Sequence, residues 1–386
     1  MIPYGRQDIN KADIAAVIEV LQSDWLTQGP VVPRFERAIV DKVGSKYAVA
    51  VNSATSALHI ACLALDLGPG DWLWTSPNTF VASANCGLYC GARVDFVDID
   101  PRTYNMSVEA LTTKLAQAEQ LGTLPKIVVP VHFAGQSCDM ASIYELAQKY
   151  GFKVIEDASH AIGGRYKNQS VGCCAYSDIT VFSFHPVKII TTGEGGMALT
   201  NNPQLTERLQ LFRSHGITRN PPQMQNTSMG SWYYEQLELG FNYRMTDMQA
   251  ALGLSQLERL DEFVSRRHVL ASVYNEVLID LPLVLPFQEK DCYSAFHLYV
   301  VQIDPLHSPL DRCKLFEYLR AEGVFVNVHY IPIHTQPYYQ RMNFHPGQFR
   351  VSEQYYENAL TLPLFFGLGD TQQAKVVELL RKALQV

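Results

Sequence analysis

Charge is scarce in this sequence. Asp, Glu, Lys and Arg make up 18% of its 386 residues, where an ordinary globular chain has about 25%. The 31 Lys and Arg do not match the 38 Asp and Glu, and a formal net charge of -7 argues against extended nucleic-acid binding. No apolar run approaches the ~20 residues of a membrane-spanning helix. The first residues, MIPYGRQDINKADIAAVIEV, lack the basic segment and apolar stretch of a secretory signal. A soluble, cytoplasmic protein with no membrane and no nucleic-acid partner is expected. The eight cysteines, at positions 62, 86, 90, 138, 173, 174, 292 and 313, form no two CxxC pairs at zinc spacing, so reduced thiols and no metal are expected. Cys86 and Cys90, four apart, read as buried structural thiols on one helical face.

What is present is apolar and aromatic: 47% hydrophobic residues and 11% Phe, Trp and Tyr. A chain of this length predicts two or three domains at roughly 150 residues each. From residue 47, short apolar runs alternate with longer amphipathic ones. YAVAVN precedes SATSALHIACLALDLG, DWLWTS precedes TFVASANCGLYCG, RVDFVDI precedes SVEALTTKLAQAEQ, and KIVVPVHF precedes MASIYELAQKYG and then FKVIED. Parallel strands need a crossover, usually helical, so this rhythm predicts a doubly wound, mostly parallel sheet. Ligands bind beyond the carboxyl ends of such strands, which directs attention to Asn52, Ser76 and Asp157. After residue 178 the runs DITVFSFH and GMALT, joined by a Gly-rich connection, predict antiparallel neighbours. One long helical stretch, 245–277, then leads to the Pro-punctuated LPLVLPF and a mixture of strands and helices. Residues 1–260 are assigned to an amino-terminal arm and a large domain, and 261–386 to a smaller α+β domain.

Lys188 lies in SFHPVKIITTGEGGM, flanked by Val187, Ile189 and Ile190 and close to Gly193, Gly195 and Gly196. An amine in such surroundings is desolvated, which lowers its pKa and makes it nucleophilic toward an aldehyde cofactor. Asp157 closes the strand candidate FKVIED, where its charge can keep a pyridine nitrogen protonated. Ser53, Ala54, Thr55 and Ser56 open a helix whose free amides and dipole favour an anion. Ser183, five residues before Lys188, adds a hydroxyl.

The segments NSATSALHI, PNTFVASANCGLYCGARVDFVDID, VIEDASHAIGG, SFHPVKIITTGEGG, LFRSHGI and GFNYRMTDMQAALGLSQL occur in one order between about Tyr4 and Tyr339. Together they resemble the DegT/DnrJ/EryC1/StrS family of sugar aminotransferases. The resemblance implies an α/β fold of the PLP-dependent transferase fold type I, aspartate aminotransferase-like, with pyridoxal 5′-phosphate as cofactor. It also implies that Lys188 forms the Schiff base with the cofactor and moves the proton, while Asp157 pairs with the pyridinium nitrogen. His160 would contact the phenolic oxygen, Phe80 would stack on the ring, and Ala54, Thr55 and Ser183 would hold the phosphate. Asn242 of GFNYR would reach the phosphate of the neighbouring subunit, which implies a homodimer with active sites at the interface. Ala54-Thr55 departs slightly from the Gly-Thr of relatives, a change that a helix start tolerates.

Within the family, SDWLTQGP, ITTGEGG and VHYIPIHTQPYY look most like members of the pseudaminic acid pathway. That likeness implies transfer of an amino group from L-glutamate to C4 of a UDP-linked 4-keto-6-deoxy-N-acetyl-L-hexosamine, giving UDP-4-amino-4,6-dideoxy-N-acetyl-β-L-altrosamine. Perosamine-type and 4-amino-arabinose-type substrates are the alternatives. Implied substrate contacts are Tyr4, Asp24, Trp25, Leu26 and Thr27 from the arm, and His329, Tyr330 and Ile331 from the small domain. Related sugar dehydratases carry His where Lys188 stands, and a cofactor-binding regulator would bring a DNA-binding segment, so transamination is the expected activity.

Overall fold

A computed structural model describes residues 1–226 and 230–384. The chain opens with a short strand, β1 (Ile2–Pro3), and two helices, α1 (Lys11–Leu21) and α2 (Val31–Val43). Strand and helix then alternate: β2 (Tyr47–Val51), α3 (Ala54–Ala64), β3 (Trp72–Thr75), α4 (Ala82–Tyr89), β4 (Arg93–Phe96), α5 (Val108–Leu121), β5 (Ile127–Val129), α6 (Met140–Tyr150) and β6 (Lys153–Asp157). A hairpin of β7 (Arg165–Tyr166) and β8 (Gln169–Ser170) precedes β9 (Ile179–Ser183) and β10 (Gly196–Thr200). Next come α7 (Pro203–Arg213), the pair β11 (Ile217–Thr218) and β12 (Glu235–Gln236), and the helices α8 (Asp247–Glu258) and α9 (Leu260–Val277). The remainder comprises β13 (Leu283–Val284), β14 (Cys292–Tyr293), β15 (Tyr299–Ile303), α10 (Arg312–Ala321), β16 (Val324–Phe325), α11 (Pro337–Gln340), α12 (Arg350–Asn358), β17 (Ala359–Leu362) and α13 (Asp370–Leu384).

The main sheet has seven strands in the order β2-β10-β9-β6-β5-β3-β4. β10 runs antiparallel to both its neighbours, and the β9-β6-β5-β3-β4 pairs are all parallel. Helices cover both faces, so the central strands are mostly apolar rather than alternating, and every residue of β9 and β10 is buried. Side chains of Ser53, Ser107 and Asp139 cap α3, α5 and α6 at their amino ends. The alternation read between residues 47 and 157 and the antiparallel pair after 178 therefore fold as anticipated. The carboxyl ends of β2, β6 and β9 share one edge, which brings Asn52, Asp157 and Ser183 together there.

A second core gathers Leu270, Tyr274, Tyr299, Val301, Leu315, Leu360, Leu362 and Leu380 around the sheet β13-β15-β17. Ile2 is buried in this core, and β1 pairs with β16 through Ile2↔Val324 and Pro3↔Phe325. The start of the arm is thus a strand of the carboxyl-terminal unit. The stretch 245–277 is two helices rather than one, meeting at Arg259, which ends α8 and precedes α9. The reason lies in contacts with the distant amino-terminal segment. Arg259 donates to Asp8 Oδ1 at 2.7 Å and to Asp13 Oδ2 at 2.8 Å, while Gln256 and Ser255 donate to the same Asp13 at 2.8 and 2.6 Å. This network fastens α1 across the break. VFVNVHY forms a strand only at Val324–Phe325, with a single further bridge from Asn327 to Thr361, before the chain reaches the cavity described below.

Asp13 is fully buried and faces the donors of Arg259, Gln256 and Ser255. Asp13→Ala is expected to lower the unfolding free energy by about 3 kcal/mol, because it leaves a guanidinium without its buried partner. Asp13→Asn, which keeps one acceptor oxygen, is expected to lose less. Urea denaturation of the three proteins measures this, and an Ala variant as stable as the parent would refute it.

Candidate active site

The strand ends open into a cavity of about 800 Å³, within the usual size of small-molecule sites. Tyr4, Ala54, Thr55, Phe80, Asp157, His160, Ser183, Lys188, His329 and Tyr330 all line it. A larger, more open groove of about 900 Å³ runs between α9 and α13, lined by Val269, Val273 and Val377. It holds neither Lys188 nor Asp157, so volume alone does not locate the chemistry.

Asp157 ends β6 and is buried. It accepts hydrogen bonds from the Ser83 hydroxyl at 2.6 Å, the Ser159 hydroxyl at 2.6 Å and the Ser159 amide at 3.1 Å. These neutral donors fix the carboxylate without neutralising it. Lys188 sits in the turn between β9 and β10, half-buried. Burial pulls its amine down to about 8, against the opposing pull of the Asp157 charge. Among the described residues the amine forms no ion pair within 4.0 Å, so it is left to act on whatever enters.

Of the four histidines that line the cavity, His160, His297 and His329 are buried. Burial, helped by the charge of Lys188, holds His160 well below the ordinary histidine range. Burial and Lys188 hold His329 down to about 3, and its Nδ1 lies 2.8 Å from Thr361 Oγ1. His297 is depressed mainly by burial, then by His160, Lys188 and Arg267. His160 Nε2 is 3.1 Å from the Tyr330 hydroxyl. Burial and the charge of Asp157 raise the Tyr330 phenol, so it keeps its proton.

The anion site is built at the start of α3. Ser53 caps the helix by accepting from the Ser56 amide at 3.1 Å, and the Ser56 hydroxyl donates to Asn52 Oδ1 at 2.7 Å. The amides of Ala54 and Thr55, at the first helical positions, have no intrahelical acceptor. Gly196 permits this geometry: a Cβ there would lie 2.5 Å from Ala54 N and from Ser53 C. This cradle would hold a phosphate, and the buried His160 Nδ1, which has no partner among the described residues, would meet a ring substituent. The donor set therefore fits pyridoxal phosphate.

Not every anticipated residue comes here. Asp24, Trp25, Leu26 and Thr27 are exposed and lie outside this cavity. They run beside the start of α8, where Thr27 bridges Thr246 and the Asp247 amide donates to Leu26 O at 3.0 Å. Ile331 is 48% exposed and does not line the cavity although its neighbour Tyr330 does. Asn242 is exposed, pairs with Ser214 and is likewise outside. Sequence reasoning missed Ser83, Ser159 and His297. Ser159, two residues after a strand-end Asp, carried a legible turn signal; Ser83 and His297 carried none, being brought in by tertiary packing.

A nucleophilic amine and a fixed carboxylate facing a helix-start anion cradle define a class: α/β transferases that work with pyridoxal 5′-phosphate. The model of the DegT/DnrJ/EryC1/StrS aminotransferase family matches residues 7–381. The spore coat polysaccharide biosynthesis protein SpsC of Bacillus subtilis is 40% identical over 383 residues, covering 98% of this chain and 96% of SpsC. Among solved structures, Spr1654 of Streptococcus pneumoniae in its PLP form superposes with a TM-score of 0.90 at 29% identity, covering 100% of both chains. PseC of Helicobacter pylori, an aminotransferase in the biosynthesis of pseudoaminic acid, gives a TM-score of 0.89 at 31% identity, covering 100% of this chain and 99% of PseC. The chain belongs to the DegT/DnrJ/EryC1/StrS aminotransferase family and is a PLP-dependent sugar aminotransferase.

Gly196→Ala would push a methyl group into the Ser53–Ala54 backbone. Titration of the cofactor-free variant with pyridoxal phosphate is expected to give binding about tenfold weaker or worse, the loss of a hydrogen bond to a charged group. Unchanged affinity would mean that the cradle does not hold the phosphate.

Proposed function

We propose that the protein transfers the amino group of L-glutamate to C4 of a UDP-linked 4-keto-6-deoxy-N-acetyl-L-hexosamine, giving UDP-4-amino-4,6-dideoxy-N-acetyl-β-L-altrosamine, the amination of the pseudaminic acid route. The observation that carries the chemistry is that Lys188 and Asp157 face one cavity, with the amine pulled down to about 8. Similarity to PseC along the whole chain supports the sugar.

When bound, pyridoxal phosphate supplies the electron sink that makes a carbon-bound proton removable. In this reading Asp157, fixed by Ser83 and Ser159, keeps the pyridine nitrogen protonated. Lys188 would hold the cofactor's aldehyde and, once released, its amine would take the proton from the α-carbon of glutamate and later deliver one to C4 of the sugar. His160 offers a neutral hydrogen-bonding nitrogen to the phenolic oxygen, and Phe80, 6.4 Å from Tyr330 between ring centroids, covers the ring. Ala54, Thr55 and Ser183 hold the phosphate, while Tyr4, His329 and Tyr330 meet the substrate. A homodimer belongs to the same reading: Asp24 to Thr27 and Asn242, exposed and outside their own cavity, would serve the cavity of the neighbouring subunit.

The 40% identity with SpsC, above the 31% with PseC, favours a second reading in which another nucleotide 4-keto-sugar is the acceptor. Incubating the enzyme with cofactor, glutamate and a panel of nucleotide 4-keto-sugars, and following 2-oxoglutarate, separates the two. Turnover with the UDP-linked L-sugar is expected, and turnover only with D-configured sugars would overturn the assignment.

Lys188→Ala is expected to abolish turnover while still binding the cofactor non-covalently. In the unsubstituted protein freed of cofactor, the neutral amine fraction rises about tenfold per pH unit below the amine pKa. The rate of aldehyde capture is therefore expected to climb with pH and level off above about 8. Stopped-flow absorbance measures it, and a rate still climbing steeply near pH 10 would contradict the assigned desolvation.

A further inference from the structure

Behind the cavity, segments far apart in sequence meet at one point. Gly135, after β5, has φ +107, and a Cβ there would lie 2.8 Å from Phe296 N, 3.0 Å from His297 N and 3.1 Å from His160 O. Only a residue without a side chain lets these three strands of backbone touch. The Ala295 amide donates to Gly135 O at 2.9 Å, and the Phe296 amide, at φ 45, donates to Ser294 Oγ at 3.0 Å. From the other side, the buried Arg267 of α9 donates through Nη1 to Phe296 O and His297 O at 3.1 Å each and to Leu364 O at 2.9 Å. A buried guanidinium held by carbonyls rather than by a carboxylate is an expensive group, and it clamps the backbone of residue 297.

What this junction delivers is the ring of His297 against that of His160. Their centroids are 4.5 Å apart at 44°, and both residues are buried. Tyr330 also lies nearly parallel to His160, at 6.1 Å and 21°, and Phe133 lies at 6.2 Å. Two neutral rings tolerate such a separation, whereas two imidazolium ions would repel. The ring of His160 is left with little freedom to turn.

We infer that His297 is a positioning residue: clamped by Gly135 and Arg267, its ring fixes the plane of His160 and hence the direction of His160 Nδ1. The inference rests on the reading above, in which His160 meets the phenolic oxygen of the cofactor. His297 acts through His160 rather than on the reacting atoms.

The test compares the parent protein, His297→Ala and His297→Phe, each freed of cofactor and titrated with pyridoxal phosphate, reading the dissociation constant and the position of the visible absorbance band. Thermal melts accompany each titration. The Ala variant is expected to bind about tenfold more weakly, the upper worth of one aromatic pair, with a displaced band. The Phe variant, which restores a ring without nitrogens, is expected to recover both. An Ala variant with parental affinity and band would overturn the inference, as would a stably folded Phe variant no better than Ala. His297→Gln replaces the Ala variant if that one does not fold. Borohydride reduction of the parent followed by peptide mass mapping checks the underlying reading separately, since no adduct at Lys188 would sink that reading first.

Discussion

Everything in this site depends on a balance between two opposed effects on one amine. Burial removes the water that stabilises the ammonium of Lys188, while the negative charge of Asp157 favours keeping it. Were the two groups in contact as a closed ion pair, the amine would stay protonated and tied down. They share a cavity instead, and Asp157 finds its hydrogen bonds in Ser83 and Ser159, which satisfy the carboxylate without cancelling its charge. Desolvation is thus the larger effect at the amine, and the carboxylate remains available to a second cation such as a protonated ring.

The sheet makes that separation reproducible. β6 and β9 are parallel neighbours in which Asp157 is opposite Val181, so the carboxylate and the strand leading to Lys188 emerge at one edge. β10 returns antiparallel, with Gly196 paired to both Val51 and Ser183, and presses the start of α3 into place. Amine, carboxylate and anion cradle therefore come from adjacent strands of one rigid sheet rather than from independent loops.

The carboxyl-terminal unit supplies the remaining walls, and they are polar without charge. His329, Tyr330 and His297 bring hydrogen-bonding groups whose ionisation burial suppresses. Such hydrogen-bonding groups suit a hydroxyl-bearing sugar. β1 reaches from the amino terminus into this unit, so Tyr4 joins the same wall, its carbonyl accepting from the Leu364 amide at 3.0 Å.

The sequence by itself determined the mostly parallel sheet, because the alternation of short apolar runs with amphipathic stretches is a local property that each segment carries alone. It also pointed to Lys188, Asp157 and the turn from Ser53 to Ser56, through their residue types and flanking runs, and these line one cavity. It could not separate α8 from α9, because the break at Arg259 is set by Asp8 and Asp13, more than two hundred residues earlier in the chain. The substrate contacts that the resemblance implies at Asp24 to Thr27 and Ile331 are exposed in this chain, and no local pattern tells which cavity an exposed residue serves. Ser83 and His297 were invisible for the same reason: a serine in a small-residue helix and a histidine before a strand look ordinary until packing sets one on Asp157 and the other on His160. Local periodicity decides elements and their order, whereas contacts between distant segments exist only once the whole chain has closed.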